Sequence, residues 1–234
     1  MQLTSRARVL GIWLFATMVL LGVAHVVLFS NLDAAREQLP AGVWRWFDLN
    51  AEHSFGTWFS VGLLLLIGAA AALAAVAAQR PRERLAWWAV AVVATLLSID
   101  DKIQVHERLP EFFVIERQSL STHEWLVPGV IITIVGTVTL WVLVRSLDRP
   151  VRIALGIGLA VFLLGAIVIE GVSGLDARSP GALPFSLSLP MWILIEESLE
   201  VLGSMIVLVG VVSFLERAAV LHVDRSTEPP AGHA

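Results

Sequence analysis

Acidic residues and histidines gather beside the apolar stretches of this chain, where carboxylates are unusual. Asp100, Asp101, His106 and Glu107 close the third apolar stretch, and Glu170 closes the fifth. Three further acids open the sixth stretch, namely Glu196, Glu197 and Glu200. A charged side chain at the centre of a bilayer costs roughly 2.5–3.5 kcal/mol on insertion scales, so such residues mark functional sites by default. The pattern predicts a site built from carboxylates and imidazoles.

Carboxylate oxygens and imidazole nitrogens are ligands that suit zinc, iron and manganese ions. Helical bundles build metal sites from these groups on facing helices. We therefore expect a divalent metal ion held by ligands from this set: Glu52, Asp100, Asp101, His106, Glu107, Glu170, Glu196, Glu197 and Glu200. The candidates for acid–base catalysis are four of them: Asp100, Glu107, Glu197 and Glu200. A proton-sharing carboxyl network or a solvated polar rim would also accommodate these charges.

The spacing of these residues supports a metal site less strongly than their composition does. No Glu-x-x-His pair and no His-Glu-x-x-His run occurs in the chain. His106 lies six residues after Asp100 and five after Asp101, so on a continuous helix it would share a face with neither. His106 should then contribute from a different side of the helix than the two aspartates.

The helical rise places several acids at one depth. At 1.5 Å per residue, Asp100 and Glu200 lie about 24 Å from the charged residue at the other end of their stretches. The same count gives about 27 Å for Glu170. Because the hydrocarbon core is about 30 Å thick, these groups should meet near one membrane face. Their polar faces should point into the bundle, since lipid would not tolerate them.

The composition indicates a membrane protein. Hydrophobic residues make up 57% of the chain and charged residues only 15%, against about 25% in soluble domains. Apolar stretches of spanning length predict membrane helices at about 9–29, 57–78, 85–108, 125–145, 152–172 and 190–215. We predict an all-α polytopic protein: six transmembrane helices in a bundle, a single integral membrane domain over 1–222, and a disordered cytoplasmic tail over 223–234.

Basic residues predict the orientation. Ten of the 16 Lys and Arg residues fall in the terminal segments and short turns that share a side with the N-terminus, and six fall on the other side. Under the positive-inside rule, both termini are then cytoplasmic. We expect a multi-pass protein of a bacterial inner membrane, with the acid-rich end facing away from the cytoplasm.

Other features narrow the possible functions. The chain has no cysteine, which excludes disulfides, thiolate ligands and cysteine nucleophiles. No basic run suggests nucleic acid as a partner, so the expected partners are membrane lipids and a lipid-like small-molecule substrate. The leading hypothesis is a metal-dependent hydrolase or oxidoreductase embedded in the membrane. The alternatives are a cation- or proton-coupled transporter, and a sensor or assembly subunit with a structural polar rim.

Overall fold

The computed structural model describes residues 4–30, 32–33, 37, 39–40, 42–113 and 120–227, with side chains as far as residue 219. Within these ranges the chain is helical and has no strands. The elements in order are α1 (Ser5–Ser30), a 3-10 helix (Val43–Phe47), α2 (Phe55–Ala77), α3 (Pro81–Ile103), α4 (Val105–Phe112), α5 (Leu126–Val144), α6 (Arg149–Leu163), a π-helical turn (Leu164–Ile169), α7 (Glu170–Arg178) and α8 (Leu189–Thr227).

Five helical segments of the described chain are long and apolar enough to cross a membrane. They are Ser5–Ser30, Phe55–Ala77, Leu126–Val144, Arg149–Arg178 and Leu189–Ala219. Their outward faces carry large apolar side chains, such as Ile12 at 67% exposed and Ile131 at 61% exposed. The helix α3 is also 23 residues long, but charged residues occupy both of its ends.

Small residues let the helices pack closely, both between α2 and α3 and between α6 and α8. Ala71, Ala75 and Ala91 are buried where α2 meets α3. On the opposite flank of α8, a Cβ atom on Gly203 would lie only 2.5 Å from the carbonyl oxygen of Gly158 in α6. Glycine is therefore needed at this crossing, as is common where membrane helices approach each other.

Two segments differ from the sequence-based boundaries. The helix α3 ends at Ile103, whereas one helix was expected to run on to residue 108. Gln104 adopts a left-handed conformation with φ of 51°, which interrupts the helix before α4 begins at Val105. At the other end of the chain, α8 continues to Thr227, into the segment expected to be a disordered tail. Residues 228–234 lie outside the described residues.

The bundle has two chemically different ends. The arginine end comprises the start of α1, the α2–α3 and α5–α6 turns and residues of α8 near Glu216. There Thr4 donates a hydrogen bond to Glu216, and Ser146 donates to the carbonyl oxygen of Arg82 at 3.1 Å. The polar end comprises the opposite ends of the same helices, and it holds the acids and histidines singled out above. The arginines of the short turns therefore lie at one end of the bundle, and the acids singled out above lie at the other.

Candidate functional site

The break after α3 brings His106 onto Asp100. The backbone N–H of His106 donates to Oδ1 of Asp100 at 2.8 Å, and Nδ1 of His106 lies 2.9 Å from Oδ2. The two side chains are 27% and 31% exposed. The expectation that they lie on different sides was wrong, because it assumed a helix that continues through Gln104. In the neutral tautomer whose Nδ1–H donates to Asp100, the Nε2 atom of His106 carries the ring lone pair.

The indole of Trp125 lies between His106 and Glu170 and contacts both. The ring of Trp125 packs edge-on against the imidazole of His106, with 4.7 Å between their centroids. Its Nε1–H donates a hydrogen bond to Oε1 of Glu170 at 2.8 Å. Glu170 follows directly on the π-helical turn, whose extra residue changes the direction in which the next side chain leaves the helix. Trp125 therefore fixes one oxygen of Glu170 and one face of His106.

Asp101 points from α3 toward α2. Ser60 donates a short hydrogen bond to Oδ2 of Asp101. Glu197 of α8 is within electrostatic range of Asp101 and borders a crevice of about 20 Å³ beside Gly56 and Phe59. A crevice of that size has room for about one water molecule. These groups form the side of the polar end that is nearest α1 and α2.

Glu196 and Glu200 connect that side to the His106 side. Glu196 is within electrostatic range of Glu170 and His106, and Glu200 is within range of Glu197 and Glu170. The π-helical turn packs directly on these acids, since a Cβ atom on Gly165 would lie 3.0 Å from Cγ of Glu200. Separate helices thus bring six half-buried acids and one histidine into one region, here called the acidic cluster: Asp100, Asp101, His106, Glu170, Glu196, Glu197 and Glu200.

Glu107 and Glu52 lie at the margin of the acidic cluster. Glu107 is exposed, although it remains within electrostatic range of His106 and Glu170. Glu52 precedes α2 and is half-buried, and its carbonyl oxygen accepts a hydrogen bond from Nζ of Lys102 at 2.6 Å. Among the described residues, no three of the Asp, Glu and His side chains are already arranged to hold one metal ion.

A second histidine approaches the cluster from the loop before α5. His123 packs against Gly174 and is within electrostatic range of His106. Burial, together with the positive charge of Arg178, lowers the pKa of His123 below its usual value. Arg178 also forms an ion pair with Glu124 at 2.5 Å. His123 is therefore mainly neutral at pH 7, the form in which imidazole binds metals.

His25 has a different role. It is fully buried, its Nδ1 accepts a hydrogen bond from the backbone N–H of Leu49 at 3.2 Å, and its Nε2 lies 3.2 Å from the carbonyl oxygen of Pro190. Both ring nitrogens are thus occupied by backbone groups. His25 joins α1, the following loop and the start of α8, and it is a packing residue.

Comparison with known proteins identifies a family for this chain. The sequence model of a family described as a domain of unknown function, DUF8692, matches residues 12–215. The chain belongs to the DUF8692 family. No curated protein and no solved structure matches it. The matched range of DUF8692 includes the whole acidic cluster together with Glu52, Glu107 and His123.

Sequence reasoning about this DUF8692 protein missed three residues that contact or approach the cluster. Trp125 fits an ordinary interfacial tryptophan, and Ser60 is one of several hydroxyl residues at the start of an apolar stretch. His123 stands just before an apolar stretch, outside the residues selected as candidate ligands. A histidine next to an acid, Glu124, was the available signal, because this pair resembles the His106–Glu107 pair in residue type.

Proposed function

We propose that this DUF8692 protein is a membrane-embedded enzyme that binds a divalent metal ion at its polar end and acts on a lipid-like substrate. The observation that carries the proposal is the pair formed by Asp100 and His106. Histidines that bind metals usually donate their other ring N–H to a carboxylate, which sets the tautomer and the ring orientation. Asp100 accepts such a hydrogen bond from Nδ1 of His106 at 2.9 Å, which directs Nε2 to a ligand.

Glu170 is held in a similar way. Its Oε1 accepts the hydrogen bond from Trp125, so Oε2 is the oxygen available to a cation. Glu196 is within electrostatic range of both Glu170 and His106, and rotation of its side chain would complete a three-residue set. Zinc, iron and manganese accept this combination of carboxylate and imidazole ligands.

The remaining acids supply the proposed acid–base groups. A divalent ion held at this position would polarise a carbonyl or phosphoryl group of the substrate and activate water for hydrolysis. Glu200 and Glu197 lie next to Glu196 on α8 and would accept the proton of the attacking water. Glu107, exposed at the margin, would return a proton to the leaving group. Glu52 would close the mouth of the site.

The proposal includes an orientation in the membrane. We infer six membrane spans, which are the five long apolar segments together with α3. We also infer an inner-membrane location with both termini in the cytoplasm. The arginine end then lies at the cytoplasmic face, and the acidic cluster lies just below the opposite face. The distribution of Arg residues in the short turns supports this orientation.

The alternative of a transporter has less support. Carriers place their sites near the midplane and need access from both sides. In the described residues, the space beneath the acidic cluster is lined by apolar side chains together with Ser204. A polar route toward the arginine end is missing there, so the geometry favours chemistry at one face.

Metal analysis of the detergent-purified protein tests the proposal. We expect about one equivalent of a transition metal, a lower unfolding temperature in chelator, and loss of the metal from Glu170→Gln, because a bound ion stabilises the folded state. The matched control is Glu83→Gln at the arginine end, which should keep its metal. Less than about 0.3 equivalents in the wild type, with unchanged stability in chelator, would contradict the proposal.

A further inference from the structure

An apolar cavity lies directly beneath the acidic cluster. It has a volume of about 60 Å³, is partly open to its surroundings, and is enclosed by five helices, α2, α3, α5, α6 and α8. Leu64, Val93, Leu140 and Phe162 are among the residues that line it, and Ser204 is the single hydroxyl in its wall. A cavity lined in this way excludes water and accepts apolar groups.

The cavity continues the acidic cluster along α8. Gly203 and Ser204 line it, and they lie three and four residues after Glu200, on the same face of the helix. The second connection runs through α6. Phe162 lines the cavity, and three residues later Gly165 packs on the side chain of Glu200. One continuous wall therefore passes from carboxylates to hydrocarbon side chains.

We propose that this cavity holds one hydrocarbon chain of the substrate, acyl or isoprenoid, while the polar group of the same molecule lies at the acidic cluster. The inference rests on the proposed function and specifies its substrate as a lipid of which one hydrocarbon chain enters the protein. A volume of about 60 Å³ corresponds to roughly four or five sites of water size, which suits a short run of methylene groups and is too small for a ring system such as a sterol.

The close contact of Gly203 with α6 limits how the cavity can be blocked. A side chain at Gly203 would meet backbone atoms of Gly158 and Phe162, so a substitution there would disturb folding. Val93 is the better position. It lines the cavity from α3, while its neighbour Val92 is 53% exposed on the outer face of the same helix. Val93→Phe fills the cavity, and Val92→Phe is its matched control.

The test uses vesicles of phosphatidylglycerol that contain a small fraction of the same lipid with a diazirine in its acyl chain. After irradiation, the labelled residues are mapped by mass spectrometry. We expect labelling of cavity-lining residues in α3, α6 and α8 of the wild type. Val93→Phe should lower that labelling about tenfold, because the larger side chain would exclude roughly two methylene groups of the lipid chain from the cavity. Val92→Phe should leave the labelling unchanged.

Two results would overturn the inference. One is a wild-type map in which cavity residues are labelled no more than fully buried residues outside the cavity, such as Val211, and this map needs no variant to fold. The other is unchanged cavity labelling in a folded Val93→Phe protein. The metal content of the same samples separates the two proposals. Absence of metal with cavity labelling intact contradicts the proposed enzyme site, whereas bound metal without cavity labelling contradicts the chain-binding cavity alone.

Discussion

At the scale of single residues, the proposed metal site depends on how Asp100 holds His106. Asp100 accepts hydrogen bonds from both the backbone N–H and the ring Nδ1 of His106, at 2.8 Å and 2.9 Å. The carboxylate thereby determines the position of the residue and also the tautomer of its ring. An amide at position 100 would keep the size of the side chain and lose the charge that favours this tautomer.

Asp100→Asn should therefore weaken metal binding by about 10–100-fold, the range typical for the loss of a carboxylate that orients a ligating histidine. The affinity can be measured by competition with a chromophoric chelator. Asp148→Asn, at the start of α6 near the arginine end, is the control and should bind the metal like the wild type. Equal affinities in the two variants would show that Asp100 does not orient a metal ligand.

Residue types and spacing predicted part of this site. Counting helical rise put Asp100, Glu170 and Glu200 at similar depths, and the structure brings Glu170 and Glu200 within electrostatic range of each other. The contact between His106 and Asp100 could not be predicted, because it depends on one backbone conformation at Gln104. Trp125 could not be recognised either, since tryptophan at a membrane interface usually has no specific partner.

At the scale of elements, Gln104 separates α3 from α4. Its φ of 51° is unfavourable for a residue with a Cβ atom and costs about 1–2 kcal/mol. Gln104→Gly should keep the unfolding free energy within about 1 kcal/mol of the wild type, because glycine adopts this conformation readily at an entropic cost. In Gln104→Val the unfolding free energy should fall by about 1–2 kcal/mol or more, since β-branched residues avoid positive φ.

The measurement for both variants is thermal unfolding in detergent, followed by metal affinity. Val at position 104 should reduce both quantities, because a helix that continued through this position would carry His106 away from Asp100. If Val and Gly behave alike, the left-handed break is not needed to position His106.

The π-helical turn is the second element that positions the site. A Cβ atom on Gly165 would lie 2.8 Å from the carbonyl oxygen of Glu196, so Gly165→Ala would push the turn away from α8. We expect a loss of about 1–3 kcal/mol in unfolding free energy, as for other overpacked sites. Gly136→Ala in α5 is the matched control, since a Cβ atom there meets nothing within 4 Å.

For Gly136→Ala, unchanged or slightly increased stability is expected, because alanine favours a helix over glycine by about 1 kcal/mol. The comparison is made from unfolding temperatures of the two variants under identical conditions. If Gly165→Ala is as stable as Gly136→Ala, the close packing of the turn on the acids of α8 is refuted.

Hydropathy predicted the elements better than their interruptions. The spans around 9–29, 57–78 and 125–145 have counterparts in α1, α2 and α5, because long apolar stretches determine membrane helices directly. The break at Gln104 and the π-helical turn arise from local backbone geometry and packing. The residues of the turn, LGAIVI, are apolar like those of the helix before it, so no change in composition marks the turn.

At the scale of the whole molecule, the position of the turn arginines opposite the acidic cluster gives a directly testable topology. The chain has no cysteine, so single substitutions can be labelled without background. Gln79→Cys in the α2–α3 turn and Ser121→Cys before α5 are both exposed positions at opposite ends of the bundle. In intact cells, a membrane-impermeant maleimide should label Cys at position 121 and spare Cys at position 79.

Permeabilised cells provide the control for that prediction, because both positions should then react. Labelling of position 79 in intact cells, with position 121 protected, would reverse the orientation and place the acidic cluster at the cytoplasmic face. The proposed topology has one span, α3, between the two positions, so they should lie on opposite sides of the membrane. Labelling of both positions in intact cells, or protection of both, would contradict that topology.

The proposed metal site is tested most directly by anomalous X-ray scattering from crystals of the purified protein, recorded at the absorption edge of the metal found by elemental analysis. We expect one anomalous peak at the polar end, within coordination distance of Nε2 of His106 and a carboxylate oxygen of Glu170, about 2.0–2.2 Å if the metal is zinc. A peak elsewhere, or a metal-free map in which these side chains contact only one another, would contradict the proposed metal site.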